Sequence, residues 1–159
     1  MLLPRHGRRF SMDDCIFCKI VKGDIPSIKI YEDEHVFAFM DINPVSEGHA
    51  LIIPKLHAEN LWEISEASLS AVHTASKTIV RAMKKAMGPV SVAAIQLNGK
   101  GVNQIVMHYH LHLIPRASDG EALKLTAWEM IPGDMDAINR TGAAIAAAVE
   151  NDYDQKERK

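Results

Sequence analysis

Apolar positions along this chain recur with two different spacings. Between residues 67 and 87, Leu69, Val72, Ile79 and Met83 fall at helical intervals, the pattern of a helix with one face against a core. Ser65 or Ser68 can cap its start, and Gly88-Pro89 ends it. Elsewhere the apolar residues form short runs or alternate strictly. Strands are expected over 28–31, 36–40, 49–54, 90–97 and 105–114, with Phe37 and Phe39 on one side of the second. Asp33-Glu34, Asn43-Pro44, Glu47-Gly48 and Asn98-Gly99-Lys100-Gly101 punctuate them as turns and loops. Residues 15–22 predict a short helix closed by Gly23, and 136–150 an Ala-rich C-terminal helix. Strand pairs joined by short turns around one long helix define an α+β domain with an antiparallel sheet of about five strands.

The run His108-Tyr109-His110-Leu111-His112-Leu113-Ile114 carries the strongest chemical signal. In an extended strand alternate side chains share a face and sit about 6.7 Å apart. Three imidazoles then line one surface while Tyr109, Leu111 and Leu113 enter a core. The strand follows a hairpin, so a central or near-central place is expected, with the histidine face looking into a pocket. Imidazole serves as metal ligand, nucleophile and proton carrier. Two readings follow: three histidines chelating a catalytic metal, or one histidine attacking phosphorus while its neighbours hold the phosphate. His49 and His57 join these as candidates; His6, His35 and His73 are expected at the surface.

Composition narrows the class. A chain of 159 residues with 47% hydrophobic and 24% charged residues fits one domain. The formal net charge of −2 gives no basic field for nucleic acid, and no apolar run reaches the length of a membrane span. Arg5, Arg8 and Arg9 precede Asp13-Asp14 without an apolar segment, which is not a secretory signal. Residues 1–12 are expected to be a disordered extension, and the location cytoplasmic.

Cys15 and Cys18 are the only cysteines. Without an export signal a structural disulfide is not expected, and no βαβ pattern follows to suggest a redox motif. Half of a zinc site remains, needing two more ligands. If two histidines complete it, the others stay free for chemistry. The stretch Asn98–Gln104, rich in glycine and amides, offers backbone N–H groups suited to phosphate oxygens.

The chain also resembles the histidine triad (HIT) proteins, nucleotide hydrolases and transferases marked by His-φ-His-φ-His-φ-φ. The similarity includes Cys-Ile-Phe-Cys-Lys-Ile from Cys15, Gly23-Asp24-Ile25-Pro26, Phe37-Ala38-Phe39-Met40-Asp41-Ile42, Gly48-His49-Ala50-Leu51-Ile52-Ile53-Pro54-Lys55 and the triad with Ile114-Pro115-Arg116. The resemblance implies a HIT domain over 13–118, with 119–159 as its C-terminal segment and helix. It implies that His110 attacks the α-phosphorus of a purine nucleotide conjugate and forms a nucleotidyl-imidazole. His112, His49 and Gln104 would contact phosphate, with Asn98 in the same loop. Asp41 would hold the ribose hydroxyls; Ile16, Phe17, Phe39 and Ile42 would receive the base. It further implies a structural Zn2+ held by Cys15, Cys18, His57 and His108, and a two-fold homodimer through the 67–87 helix and the 90–97 region. A nucleotide-binding regulatory module with weak or no catalysis is the alternative.

One departure stands out. Where the family usually has Gly-Gln-Ser or Gly-Gln-Thr before the triad, this chain has Asn103-Gln104-Ile105. Isoleucine cannot supply the hydroxyl that can hydrogen-bond a leaving group, so altered or weaker turnover is expected, above all on phosphoramidates.

Overall fold

A computed structural model describes residues 14–88, 91–116, 134–136 and 139 of the chain. The last four belong to a separate compact unit spanning 122–159. The expected N-terminal extension and most of the expected C-terminal helix lie outside the described residues, as does Trp128.

Five strands form one antiparallel sheet: β1 Lys29–Glu32, β2 Val36–Met40, β3 Ala50–Pro54, β4 Ser91–Gln96 and β5 Leu111–Arg116. Their order across the sheet is β1-β2-β3-β5-β4, every neighbouring pair antiparallel. The expected α+β class and near-central histidine strand both hold. Two helices flank the described strands: α1 Ile16–Lys22 before β1, and α2 Glu66–Met87 between β3 and β4.

The two periodicities explain the layers. Val72, Ala75, Ile79 and Met83 of α2 pack on Val36, Ala38, Ala50, Ile52, Tyr109, Leu111 and Leu113. Phe17 and Ile20 of α1 pack on Phe37, Phe39, Leu51 and Ile53 from the opposite strand positions. With both faces covered, β2 and β3 read as unbroken apolar runs instead of alternating ones. Ser65 is the cap of α2: its Oγ accepts from the Ser68 N–H at 3.1 Å. Gly88 closes that helix in the left-handed conformation, and Gly23 does the same for α1.

The histidine strand departs from expectation at its start. β5 begins at Leu111, not at residue 105. Its register with β3 pairs Ile52 with Leu111 and Leu51 with His112. Two steps further, opposite Tyr109, the ladder would reach Pro54, which has no N–H to donate. The chain leaves the sheet there, and Tyr109 N–H donates to Ala58 O instead, at 2.6 Å. Tyr109, Leu111 and Leu113 still enter the core as the alternation predicts.

Candidate functional site

The three triad histidines divide between two adjacent sites. His108 is fully buried against the cysteines, whereas His110 and His112 line a cavity. The alternation puts all three on the side away from the core, but only tertiary packing separates their surroundings.

The first site unites Cys15, Cys18, His57 and His108, with ligand atoms within 4.8 Å of one another. Cys15 Sγ lies 3.4 Å from His108 Nδ1, and Cys18 Sγ lies 3.3 Å from His57 Nδ1. The two imidazole Nδ1 atoms are 3.2 Å apart. A tetrahedral zinc ion with ordinary Zn–N and Zn–S bonds separates its ligand atoms by about 3.3–3.8 Å, so the donor set fits. The Pro54 carbonyl can only accept, so the 2.8 Å contact from His108 Nε2 is an N–H donation. That fixes the tautomer and leaves the Nδ1 lone pair facing the thiols, as outer-sphere partners of metal ligands do. Burial pushes the His108 ring down to about 4, which keeps it neutral. Burial and the neighbouring Cys15 push the Cys18 thiol up to about 11, an arrangement a divalent cation would reverse by taking the thiolate.

The second site is a cavity of about 430 Å³, the size of a small-ligand pocket. Ile16, Phe17, Phe39, Asp41, Ile42, His49, His110 and His112 all line it. Of the residues expected there, Gln104 and Asn98 are not on its wall. Gln104 is 2% exposed, and its amide is engaged inside the fold. Its Oε1 accepts from Gly99 N–H at 2.7 Å while Nε2 donates to Glu59 O at 2.6 Å and Val106 O at 3.1 Å. Asn98 accepts from Leu61 N–H at 2.7 Å and exchanges amide bonds with Gln96. Both amides hold the 98–106 loop in shape: the buried Gln104 must satisfy its donors and acceptors inside the fold, and the half-buried Asn98 is engaged by Leu61 and Gln96. Sequence reasoning missed Val45 and Leu97 as cavity-lining residues, because an apolar side chain in a loop or at a strand end carries no signal of facing a cavity; Ile105, singled out where a leaving-group hydroxyl is usual, lines it too.

Asp41 serves two neighbours. Its Oδ1 accepts from Asn43 N–H at 2.8 Å, the turn expected before Pro44. Its Oδ2 lies 3.6 Å from His49 Nε2.

Hydrogen bonds to the backbone determine the tautomers. His110 Nδ1 is 2.7 Å from His108 O, which only accepts; Nδ1 therefore carries the proton and Nε2 keeps a free lone pair. Val45 N–H donates to His49 Nδ1 at 3.1 Å, so the His49 proton is on Nε2. From there it donates to His112 Nδ1 at 2.9 Å, which puts the His112 proton on Nε2. Phe17 packs edge-on to the His110 ring, centroids 5.3 Å apart. Burial lowers His49 and His110 below the ordinary histidine value; burial, helped by His110 and His49, holds His112 at about 4. All three imidazoles are neutral at pH 7.

An α+β sheet that sets a neutral imidazole lone pair and an imidazole N–H beside one apolar cavity defines a small-ligand domain with nucleophilic capability. The chain belongs to the HIT domain family, whose model matches residues 22–119. It is 42% identical over 131 residues to Protein hit of Bacillus subtilis, covering 80% of this chain and 90% of that one. It is 39% identical over 136 residues to the adenosine 5′-monophosphoramidase hnt1 of Schizosaccharomyces pombe, covering 86% and 98%. Among solved structures, a zinc-bound histidine triad family protein from Mycobacterium smegmatis superposes with a TM-score of 0.67 at 31% identity, covering 89% and 99%.

Proposed function

We propose that this protein hydrolyses or transfers the nucleoside monophosphate of purine nucleotide conjugates through a covalent intermediate on His110. Phosphoramidates, adenylates and dinucleoside polyphosphates are the substrate candidates. The observation that carries this reading is the 2.7 Å bond from His110 Nδ1 to His108 O, which leaves Nε2 as an unprotonated nucleophile. The likeness to a relative named as an adenosine 5′-monophosphoramidase supports it.

In the first half-reaction Nε2 forms a bond to the α-phosphorus, and the bond to the leaving group breaks. The electron pair departs with that group, which collects one proton. In the second, water oxygen attacks phosphorus and the Nε2–P pair returns to the ring. The water releases one proton, so the sum is one water consumed. His112 Nε2–H, oriented through His49, donates to a phosphate oxygen as charge gathers there. Asp41 takes the ribose hydroxyls, and Ile16, Phe17, Phe39 and Ile42 enclose the base. Gln104 and Asn98 support the loop that borders the phosphate.

Cys15, Cys18, His57 and His108 would hold a structural zinc ion with no open position for catalysis. It would tie α1 to the triad segment. A homodimer pairing through α2 and the edge strand β4, a cytoplasmic location and the absence of nucleic-acid partners complete the reading. No described helix is long and apolar enough to cross a membrane.

The test is AMP release from adenosine 5′-phosphoramidate and diadenosine tetraphosphate by wild type and His110→Ala. Turnover that drops at least a thousandfold with the substitution supports the covalent route. Binding of AMP without release from either compound selects the regulatory-module reading, which the exposed Ile105 in place of a hydroxyl favours.

A further inference from the structure

Four consecutive residues at the start of α1 serve two sites at once. Cys15 and Cys18 belong to the cluster with His57 and His108. Between them, Ile16 and Phe17 line the ligand cavity. Phe17 is buried, and its ring stands edge-on to three others. The centroid of His108 in the cluster is 5.9 Å away, that of His110 in the cavity 5.3 Å, and that of Phe39 5.4 Å. One side chain thus touches a ring of the metal cluster, the ring of the nucleophile and an apolar wall of the cavity. Shifting Cys15 and Cys18 shifts Phe17 with them, because one helical turn has no slack between its Cα atoms.

The other link between the sites has its own anchor. The His108 carbonyl orients His110, but the His108 ring donates to Pro54 O at 2.8 Å whatever meets its Nδ1. The turn of α1 is held differently. Seven residues are too few to sustain a helix by themselves. Packing on Phe37, Phe39, Leu51 and Ile53 keeps it on the sheet, and apolar packing is non-directional. Ligand bonds of fixed length and tetrahedral angle at Cys15 and Cys18 would fix its direction as well.

We infer that the Cys15–Cys18 turn couples the metal cluster to the nucleotide cavity, with Phe17 as the positioning residue, so that a metal ion and a nucleotide each raise the affinity of the protein for the other. The inference rests on the nucleotide reading of the cavity. Ligand bonds at the two sulfurs hold Phe17 against the His110 ring and set the wall that the base meets. A base seated on Phe17 in turn holds both sulfurs in place for the metal. The coupling is one free energy shared by two equilibria, so the two enhancements are the same factor.

The experiment measures AMP affinity by calorimetry on zinc-loaded and chelator-stripped protein, below the thermal transition of the stripped form. It also measures zinc retention against a chromophoric chelator, with and without saturating AMP. Zinc-loaded wild type should bind AMP roughly 5–50-fold more tightly than the stripped form, and AMP should raise zinc affinity by the same factor. Phe17→Leu should still bind zinc and gain thermal stability from it, while the factor falls to within about twofold of one. Ile42→Ala, a cavity residue outside the turn, should weaken AMP in both forms and keep the factor. A Phe17 that only filled space would lower Tm in its variant and leave the factor intact. Equal AMP affinity in the two forms of wild type, or a factor unmoved by Phe17→Leu, overturns the coupling and leaves the nucleotide site standing. If the stripped protein does not fold, the effect of AMP on zinc retention in wild type and Phe17→Leu decides by the same criterion. Failure of zinc-loaded wild type to bind AMP overturns the nucleotide reading, and the coupling with it.

Discussion

At the scale of single residues, the protonation of the imidazoles links structure to pH. Burial holds His112 at about 4 against an ordinary 6.5, and lowers His49 in the same direction. The unfolded chain therefore binds more protons than the folded one between those values. Stability from these rings is fully present above about pH 6.5 and is lost as pH falls toward 4. The geometry gives the reason: a proton on His112 Nδ1 would face the His49 Nε2–H that now donates to it. Urea midpoints measured from pH 7 to pH 4 should fall for wild type, and fall less steeply for His112→Asn. A parallel slope in both proteins would assign the pH dependence to other groups.

At the scale of elements, the site depends on how loops are closed as much as on strands. Asn103 adopts φ 64, a conformation glycine takes freely and asparagine tolerates best among the others. The substitution of the family's usual glycine thus preserves the turn, and the chemical change falls on Ile105. Gly48, at the entry to β3, has φ +84 and a closed environment. An added Cβ would lie 2.6 Å from Met87 Cε at the end of α2 and 2.8 Å from Pro115 Cγ in β5. The methionine can move aside, but the proline ring cannot. Gly48→Ala should destabilise by about 1–3 kcal/mol through strain and overpacking, read as a lower urea midpoint at an unchanged m-value. Because His49 follows directly, the same variant should weaken AMP binding; an unaffected midpoint would mean that the β3 entry relaxes freely.

At the scale of the whole molecule, the four-residue cluster joins α1, the segment after β3 and the chain before β5. Metal binding there would be coupled to folding, because the unfolded chain offers no preformed site. Purified protein should contain about one zinc per chain. Treatment with a strong chelator should lower Tm by roughly ten degrees or more, with activity lost in step with the fold. If chelation instead abolished AMP release while Tm and the circular dichroism spectrum stayed put, the histidines would be holding a catalytic metal, the competing reading of the triad.

Much of this was legible along the chain because it rests on local periodicity. Alternation sent Tyr109, Leu111 and Leu113 to the core. Helical spacing placed Val72, Ile79 and Met83 on one stripe, and Ser65 and Gly88 marked its ends. The Cys-x-x-Cys spacing announced half of a metal site, and the family pattern named His57 and His108 as the other half, which the fold brings together. What local pattern could not carry was decided by contacts between distant segments. The ladder's end at Pro54 stopped β5 short, and packing against Cys15 and Cys18 drew His108 away from its two neighbours. The tautomers of His49, His110 and His112 were set by backbone groups at Val45 and His108. Gln104 and Asn98 carried amides fit for phosphate, yet Gly99 N–H and Glu59 O claimed the buried Gln104, and Leu61 N–H and the Gln96 amide claimed Asn98. Residue type and spacing limit which chemistry a chain can host; which atoms face the ligand depends on which buried polar groups must be satisfied, and that is known only once the segments meet.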